Sequence, residues 1–223
     1  MTAAMQILQE LVEIDTDLLL AINGMHSPFW DSFMNDFSGK LIWVPMYAAI
    51  LYVVWKNFSW KVAILSVVAV ALTITFADQV CSSLIRPAVE RLRPSNLASP
   101  IADLVHIVDG HRGGRYGFPS CHAANTWGLA LFLHLLLRNK WLSLYMAAWA
   151  LVTCYSRAYL GLHYPGDLLV GALVGMVGAV LMFGLLAAFG GYKRPRAVKC
   201  HTYPIVVGGL LVAGMMVAAA ISL

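Results

Sequence analysis

The chain has 223 residues, of which 60% are hydrophobic and only 12% charged, about half the charged share of an ordinary soluble domain. Long apolar runs alternate with short polar segments, which argues against a soluble core and for a membrane protein. The net charge of +4 does not indicate a nucleic-acid partner, and the basic clusters beside apolar runs suit anionic lipid headgroups or a phosphate group. Four cysteines without CxxC spacing predict no disulfide framework.

Residues 1–40 form an N-terminal interfacial segment rather than a clear span. Acidic residues, among them Asp15 and Asp17, interrupt the apolar pattern of residues 5–23. This predicts an amphipathic helix lying at the membrane surface, with a plain solvated helix as the alternative. The first residues contain no Lys or Arg, so the sequence does not predict a signal peptide.

Six apolar runs follow, and a spanning helix needs about 20 mostly apolar residues. The sequence therefore predicts an all-α, polytopic membrane helix bundle of about six transmembrane helices, in a single domain over residues 1–223. The C-terminal transmembrane helix is 204–223, and 41–55 is a shorter candidate. The candidate spans are 41–55, 61–85, 122–138, 141–157, 165–189 and 204–223.

Basic loops predict the orientation of the bundle. The turns 56–61 and 138–140 and the segment 190–203 carry Lys and Arg but no acidic residue, which is typical of cytoplasmic loops. The segments 86–121 and 158–164 then face the other side. In a bacterial inner membrane that side is the periplasm.

The first polar cluster contains Arg86 and Arg93, seven residues apart. In a continuous helix the two guanidinium groups share a face, because two turns take about seven residues. Pro87 disfavours a helical Arg86 and favours the start of a new short helix. The alternative role is a basic juxtamembrane cluster that binds lipid headgroups.

The second cluster is Ser120-Cys121-His122, directly before an apolar helix. Ser120 is a good helix N-cap, and the free backbone N–H groups of a first helical turn favour an anion. His122 then lies in that first turn. The alternative is an ordinary cap beside an incidental histidine.

The third cluster places Arg157, His163 and Asp167 between two apolar helices. Asp167 is close enough in sequence to accept a hydrogen bond from one imidazole nitrogen of His163, which would make the other nitrogen a better nucleophile. The alternative is a capping aspartate and an interface histidine. Together the clusters offer three arginines for phosphate oxygens and two histidines to act as nucleophile and general acid.

These three clusters, in this order, resemble the type 2 phosphatidic acid phosphatase superfamily. The family pattern is Lys-x6-Arg-Pro, then Pro-Ser-Gly-His, then Ser-Arg-x5-His-x3-Asp. This chain has Arg86…Arg93-Pro94, then Pro119-Ser120-Cys121-His122, then Ser156-Arg157…His163…Asp167. Arg86 replaces the usual lysine with a planar fork, and Cys121 replaces a glycine, which is neutral only where positive φ is not required.

The resemblance implies a metal-independent phosphatase with no cofactor. Its catalytic residues would be His163 as nucleophile, Asp167 as its orienting partner and His122 as general acid. The phosphate-binding residues implied are Arg86, Arg93, Ser120, Cys121 and Arg157.

The implied partner is a phosphorylated outer-leaflet lipid. Lipid A is favoured, with undecaprenyl diphosphate, phosphatidylglycerol phosphate and phosphatidic acid as alternatives. Phosphotransfer and a catalytically degenerate transporter or scaffold are rival functions. His106, Asp109 and His111, in the long loop, are metal ligands by type, but their spacing matches no strong metal pattern, so no metal is expected.

Overall fold

The computed structural model describes residues 3–223, which form an all-helical bundle. This confirms the predicted fold class. In the described range, the only β-type pairing is one isolated bridge, between Leu92 and Tyr116. The helices are α1 Ala3–Asn23, α2 Pro28–Ser38, α3 Val44–Asn57, α4 Trp60–Gln79, α5 Arg86–Val89, α6 Cys121–Leu137, α7 Lys140–Tyr159, α8 Pro165–Phe189 and α9 Thr202–Ile221.

Every predicted span is helical, but not every helix is long and apolar enough to cross a membrane alone. Three pass on length and composition: Trp60–Val89, Pro165–Phe189 and Thr202–Ile221. A fourth is gained if Pro28–Ser38 and Leu41–Asn57, bent by 69° at their junction, form one broken span. The shorter α6 is apolar but has only 17 residues. A membrane protein is thus established, whereas the count of six is not confirmed.

The centre of the bundle is the contact between α6 and α8, and glycines make it possible. A side chain at Gly171 would collide with the backbone of Ser120, and one at Gly175 with the backbone of Ala124. Small residues four positions apart allow two helix backbones to approach this closely. The contact fixes the N-terminus of α6 against the first turns of α8.

Helix α1 lies along the outside of the bundle. Its exposed apolar residues include Ile7, Leu11, Ile14 and Leu18, spaced so that they share one helical face, while Leu19 is buried. The predicted helix is confirmed. Its position at a membrane surface stays a prediction that this apolar face supports.

The two ends of the bundle differ in what they carry. The "basic end" is formed by the turns 56–61 and 138–140 and the segment 190–203. Asn57 exchanges hydrogen bonds with the backbone of Lys199, and the Tyr192 hydroxyl donates to the carbonyl of Leu136 at 2.8 Å, so these loops lie together. The "site end" is formed by residues 86–121 and 157–167, at the opposite termini of α6, α7 and α8.

The prediction at Pro87 is confirmed in one part and wrong in the other: the short helix is present, but Arg86 itself is helical. A helix does run through Pro87, because a π-helical segment, Val80–Ile85, continues α4 into α5. It then ends at Val89, where Glu90 adopts a left-handed conformation with φ 51°. Arg93 lies beyond this turn, where its N–H donates to the carbonyl of Arg115. Arg86 and Arg93 therefore do not share a helical face; the fold of the loop brings them together instead.

Candidate active site

His163 is the centre of the buried polar cluster at the site end. It lies in the turn between α7 and α8 and is only 1% exposed. Its Nε2 is 2.7 Å from Nη1 of Arg93, and its Nδ1 is 3.5 Å from Oδ2 of Asp167. The same Nη1 of Arg93 donates to the carbonyl of Leu162 at 2.9 Å. The imidazole is thus fixed between a cation and a carboxylate.

These contacts define the tautomer of His163. A guanidinium group has donors only, so Nε2 must accept from Arg93 and carries no proton. In the neutral ring the proton is then on Nδ1, which faces Asp167. The predicted pairing with Asp167 is present as a 3.5 Å contact, longer than an ordinary hydrogen bond.

The surroundings keep the imidazole of His163 neutral. Burial, followed by the positive charges of Arg93 and Arg157, holds its pKa well below the usual range. Burial and the charge of Arg86 also lower the pKa of Arg93, to about 10, which still leaves that guanidinium charged at neutral pH. The site therefore combines a neutral, unprotonated Nε2 with neighbouring fixed cations.

Arg86 contacts the start of α6. Its Nη2 donates to the carbonyl of Pro119 at 2.9 Å and lies 3.3 Å from Sγ of Cys121. The two positions at which this chain departs from the family pattern are thus in direct contact with each other. Cys121 is the first residue of α6 and has helical geometry, so its side chain causes no backbone strain.

Arg157 approaches from the end of α7. Only 8% of it is exposed, and its Nη1 donates to Oγ of Ser38 at 2.6 Å. The Nε atoms of Arg86, Arg93 and Arg157 are all buried and have no hydrogen-bond partner among residues 3–223. Unpaired buried donors are costly, so three of them in one cluster indicate that an anion completes their hydrogen bonds.

The N-terminus of α6 supplies further donors. Oγ of Ser120 accepts from the backbone N–H of Ala123 as the N-cap, and the Ser120 N–H donates to the carbonyl of Asp167 at 3.0 Å. The first backbone N–H groups of a helix have no partner within it, so they favour an anion. This predicted anion site lies against the first turn of α8, which carries Asp167.

His122 lies where the polar cluster meets an apolar cavity. The cavity has a volume of about 500 Å³, is partly open, and is lined by α3, α4 and α6 with Trp149 of α7. Eleven of its seventeen lining residues are aliphatic or aromatic. The six polar ones are Lys40, Ser66, Asp78, His122, Asn125 and Thr126. The charged and titratable groups that act on His122 include Arg157, Lys40 and His163. His122 is therefore the histidine that a molecule in the cavity would meet.

Asp167 is held by residues that the sequence did not single out. Its Oδ2 accepts from the backbone N–H of Tyr164, and its Oδ1 accepts from Nη1 of Arg91, both at 3.0 Å. The same Nη1 lies 2.7 Å from Oδ2 of Asp15, whose Oδ1 accepts from the N–H of Gly166 at 2.7 Å. The Arg91 guanidinium also stacks on the Tyr164 ring, at 3.7 Å from its centroid. Helix α1 is thereby attached to the start of α8.

All eight predicted site residues lie at the site end. His163, Arg93 and Asp167 are in direct contact, and Arg86 contacts Cys121, while Ser120 and Arg157 border the same cluster. Sequence reasoning missed Arg91, Asp15 and Lys40. Arg91 stands in the first cluster, but its role depends on Asp15, which lies 76 residues away.

Comparison with known proteins gives the family. Residues 67–190 match the PAP2 superfamily, and this region contains all three polar clusters. The chain belongs to this superfamily. The predicted class, a membrane lipid phosphatase, is confirmed.

The chain is similar to two proteins named lipid A 4′-phosphatase. It is 64% identical to the one from Bacteroides thetaiotaomicron over 173 residues, covering 78% of this chain and 77% of the relative. It is 36% identical to the one from Porphyromonas gingivalis over 202 residues, covering 90% and 84%. The fold is similar to that of the Aquifex aeolicus LpxE crystal structure, with a TM-score of 0.60 and 22% identity, over 76% of this chain and 94% of that one.

Proposed function

We propose that this chain removes a phosphate from lipid A, the 4′-phosphate in particular, by way of a phosphohistidine on His163. The observation that carries the chemistry is the buried His163 imidazole, in contact with Arg93, beside three arginines whose Nε atoms are buried and unpaired. The choice of lipid is supported by the similarity to the two proteins named lipid A 4′-phosphatase.

Phosphate binding is assigned to Arg86, Arg93 and Arg157, with Ser120 and the backbone N–H of Cys121. The unpaired Nε atoms of the three guanidiniums are free to donate to phosphate oxygens. Arg93 now donates to Nε2 of His163 and would turn its donors onto the phosphate when the lipid binds. That exchange releases the Nε2 lone pair for attack.

In the first step Nε2 of His163 attacks phosphorus as the bond to the lipid oxygen breaks. Asp167 faces the Nδ1 proton and stabilises the positive charge that develops on the ring. Binding of the anionic phosphate beside His122 favours its protonated form, so that His122 takes up a proton from solvent. It then donates this proton to the leaving lipid oxygen, which would otherwise depart as a strongly basic alkoxide. The arginines stabilise the charge on the phosphoryl oxygens.

In the second step water attacks the phosphorus of phosphohistidine and the P–N bond breaks. His122 now accepts a proton from that water, and inorganic phosphate leaves. The enzyme returns to its starting protonation state. Neither step needs a metal ion, because the three guanidinium groups supply the positive charge.

The apolar cavity next to His122 is assigned to the acyl chains of the lipid. Its walls of aliphatic and aromatic residues suit hydrocarbon, and its polar end is at His122, where the leaving oxygen must be. This arrangement supports a lipid over a soluble phosphate ester. The acyl chains would then lie in the cavity and the phosphorylated headgroup at the polar cluster, as a membrane lipid requires.

The site end is assigned to the periplasmic face of a bacterial inner membrane. The basic end carries exposed Lys and Arg without acidic partners, as cytoplasmic loops do. The substrate is then an outer-leaflet lipid. Accessibility of a cysteine introduced at Leu97, which is 78% exposed at the site end, to an impermeant thiol reagent in intact cells would test this assignment.

The function is tested by phosphate release in EDTA from lipid A, undecaprenyl diphosphate, phosphatidylglycerol phosphate and phosphatidic acid. Purified wild-type protein should release inorganic phosphate fastest from lipid A, at the 4′ position. His163→Ala should lose about 10⁴-fold or more, as removal of a nucleophile does. His111→Ala, an exposed histidine in the long loop, is the matched control.

Each other outcome of that experiment identifies a rival. Faster release from another lipid would reassign the substrate. Transfer of phosphate to an added sugar or lipid, with no free phosphate, would indicate a phosphotransferase. No release from any lipid, or release that His163→Ala leaves intact, would overturn the mechanism and favour a degenerate scaffold.

A further inference from the structure

Three side chains outside the arginine–histidine cluster form a second group of metal-ligand type. They are His26 in the turn after α1, Asp31 in the first turn of α2, and His106 in the long loop before α6. One ligand atom from each lies within 4.8 Å of the other two. Nε2 of His106 is 2.9 Å from Oδ2 of Asp31, and the two imidazole rings are stacked with centroids 3.8 Å apart.

Two of these three groups are held in position by the protein. The backbone of His106 is fixed by the buried Asn23, whose Oδ1 accepts from its N–H at 2.7 Å and whose Nδ2 donates to its carbonyl at 3.0 Å. Asp31 presents Oδ2 to His106, while its Oδ1 accepts from the Tyr159 hydroxyl at 2.6 Å. A hydrogen bond from the protein to the other oxygen of a ligating carboxylate is characteristic of metal sites. His26 is exposed and free to turn.

We propose that His26, Asp31 and His106 bind a divalent transition-metal ion of the zinc type. Two imidazole nitrogens and one carboxylate oxygen make a three-protein-ligand set that Zn²⁺ completes with a water molecule. Ligand atoms of a tetrahedral zinc site lie about 3.3 Å apart, so the group must contract slightly. The exposed His26 ring tilts away from its stacked position to do so. Mg²⁺ and Ca²⁺ prefer all-oxygen ligands and are disfavoured.

This site differs from the metal ligands suggested by residue type in the sequence. Of His106, Asp109 and His111, only His106 belongs to the group found among residues 3–223. Asp109 instead accepts from Nδ2 of Asn35 at 3.2 Å. The sequence could not indicate His26 and Asp31, because they lie 80 and 75 residues before His106.

An ion here would brace the turn that carries the nucleophile. Its ligands join the N-terminal helices to the long loop. That loop packs on Gly161, which has φ 67° and where a side chain would meet Val105 and the carbonyl of His106. Gly161 stands two residues before His163 in the same turn. The proposed ion is therefore structural: it stabilises the site end and takes no part in the phosphoryl transfer.

The test uses full-length protein purified without a polyhistidine tag, stripped with EDTA and then dialysed against Zn²⁺ or Mg²⁺. Bound metal is measured by elemental analysis and stability by thermal unfolding. Wild type and His111→Ala should each bind one Zn²⁺ per chain and unfold about 5–10 °C higher at roughly 100-fold excess over Kd. His26→Ala and His106→Gln should lose both the bound zinc and the shift, and Mg²⁺ should produce neither.

The proposal is overturned if the wild type binds no zinc, or if His26→Ala binds zinc with the wild-type stoichiometry and shift. Because His26 is exposed, its replacement leaves the fold intact and the result interpretable. Phosphate release in EDTA is measured on the same samples. The chemistry does not depend on the ion, so failure of the zinc site leaves the phosphatase assignment untouched, and failure of hydrolysis leaves the zinc site untouched.

Discussion

The two ends of the bundle both carry many cations but treat them in opposite ways. At the basic end every Lys and Arg is exposed: Lys56, Lys61, Arg138, Lys140, Lys193, Arg194, Arg196 and Lys199. At the site end Arg93 and Arg157 are only 9% and 8% exposed and Arg86 and Arg91 are half-buried, while Arg115 in the long loop is exposed. A count of charges in the sequence does not separate the ends; burial does.

Burial has a cost that the site end must offset. Removing a charge from water is unfavourable unless partners replace the lost hydration. Arg91 obtains them from Asp15 and Asp167, and Arg93 from the Leu162 carbonyl and His163. Some donors are nevertheless left unpaired, whereas the exposed cations of the basic end keep water as their partner. The comparison shows that the site is distinguished by buried arginine donors without partners, rather than by the number of charges.

The most demanding test of this difference is to replace one arginine by lysine at each end of the bundle. Arg93→Lys removes a planar fork at a buried position and should lower kcat/KM by about 10²–10³-fold, because lysine cannot reproduce the paired donors. Arg138→Lys at the exposed basic end should change it less than about twofold. Phosphate release from lipid A measures both, and equal losses would show that burial at the site end has no functional meaning.

The next test concerns the attachment of α1 to α8. Asp15→Asn weakens the pair with Arg91 and so loosens the partner that holds Asp167, although Asp15 touches no reacting atom in the proposed mechanism. We expect kcat to fall about 10-fold with KM nearly unchanged, as loss of positioning does.

Asp17→Asn, on the same helix, is the control for Asp15→Asn. Steady-state kinetics with lipid A separate kcat from KM. A loss confined to KM would mean that α1 serves only in binding the lipid, and equal losses in both variants would indicate a general effect of charge on this helix.

The apolar cavity gives a smaller effect that depends on the substrate. Val70→Trp fills part of the cavity and should raise KM for lipid A several-fold, while hydrolysis of a short-chain, water-soluble phosphate monoester is unchanged. Val177→Trp, on the exposed face of α8, should alter neither. If Val70→Trp slowed hydrolysis of both substrates equally, the cavity would not be the acyl-chain site.

The smallest expected effect is a shift in the pH profile. His163 attacks only when unprotonated, and its pKa is held below the usual range by burial and by Arg93 and Arg157. The acid limb of kcat/KM should therefore lie below about pH 6.5, the ordinary histidine value.

Arg93→Gln removes one of those charges and should raise the pKa of His163, which moves the acid limb to higher pH. The measurement is kcat/KM against pH for wild type and variant, with Arg138→Gln as the control. An acid limb at the same pH in all three proteins would contradict the role given to Arg93.

Much of this site could be predicted from sequence because its residues are local signals beside helix termini. Ser120 before an apolar run and Pro165 at the first position of α8 each predict a helix start, and the structure has both. His163 and Asp167 are only four residues apart, so their contact could be predicted from local spacing alone. The family pattern then supplied the order of the three clusters.

What could not be predicted depends on contacts between distant segments. Arg93 reaches the site because its loop pairs with Arg115 and Gly117, not because of a seven-residue helical spacing. Asp15 belongs to the site only through Arg91 and Gly166. No local pattern encodes such pairs, since they are chosen by the packing of α1 and the long loop on α8.

The most direct test of the central claim is to trap the phosphoenzyme. Purified wild-type protein is mixed with lipid A in EDTA, quenched rapidly in alkali, under which phosphohistidine survives, and mapped by mass spectrometry. The account predicts phosphate on His163, and none on any residue of His163→Ala. Phosphate on His122 instead, or turnover with no phosphorylated residue at any quench time, would contradict it.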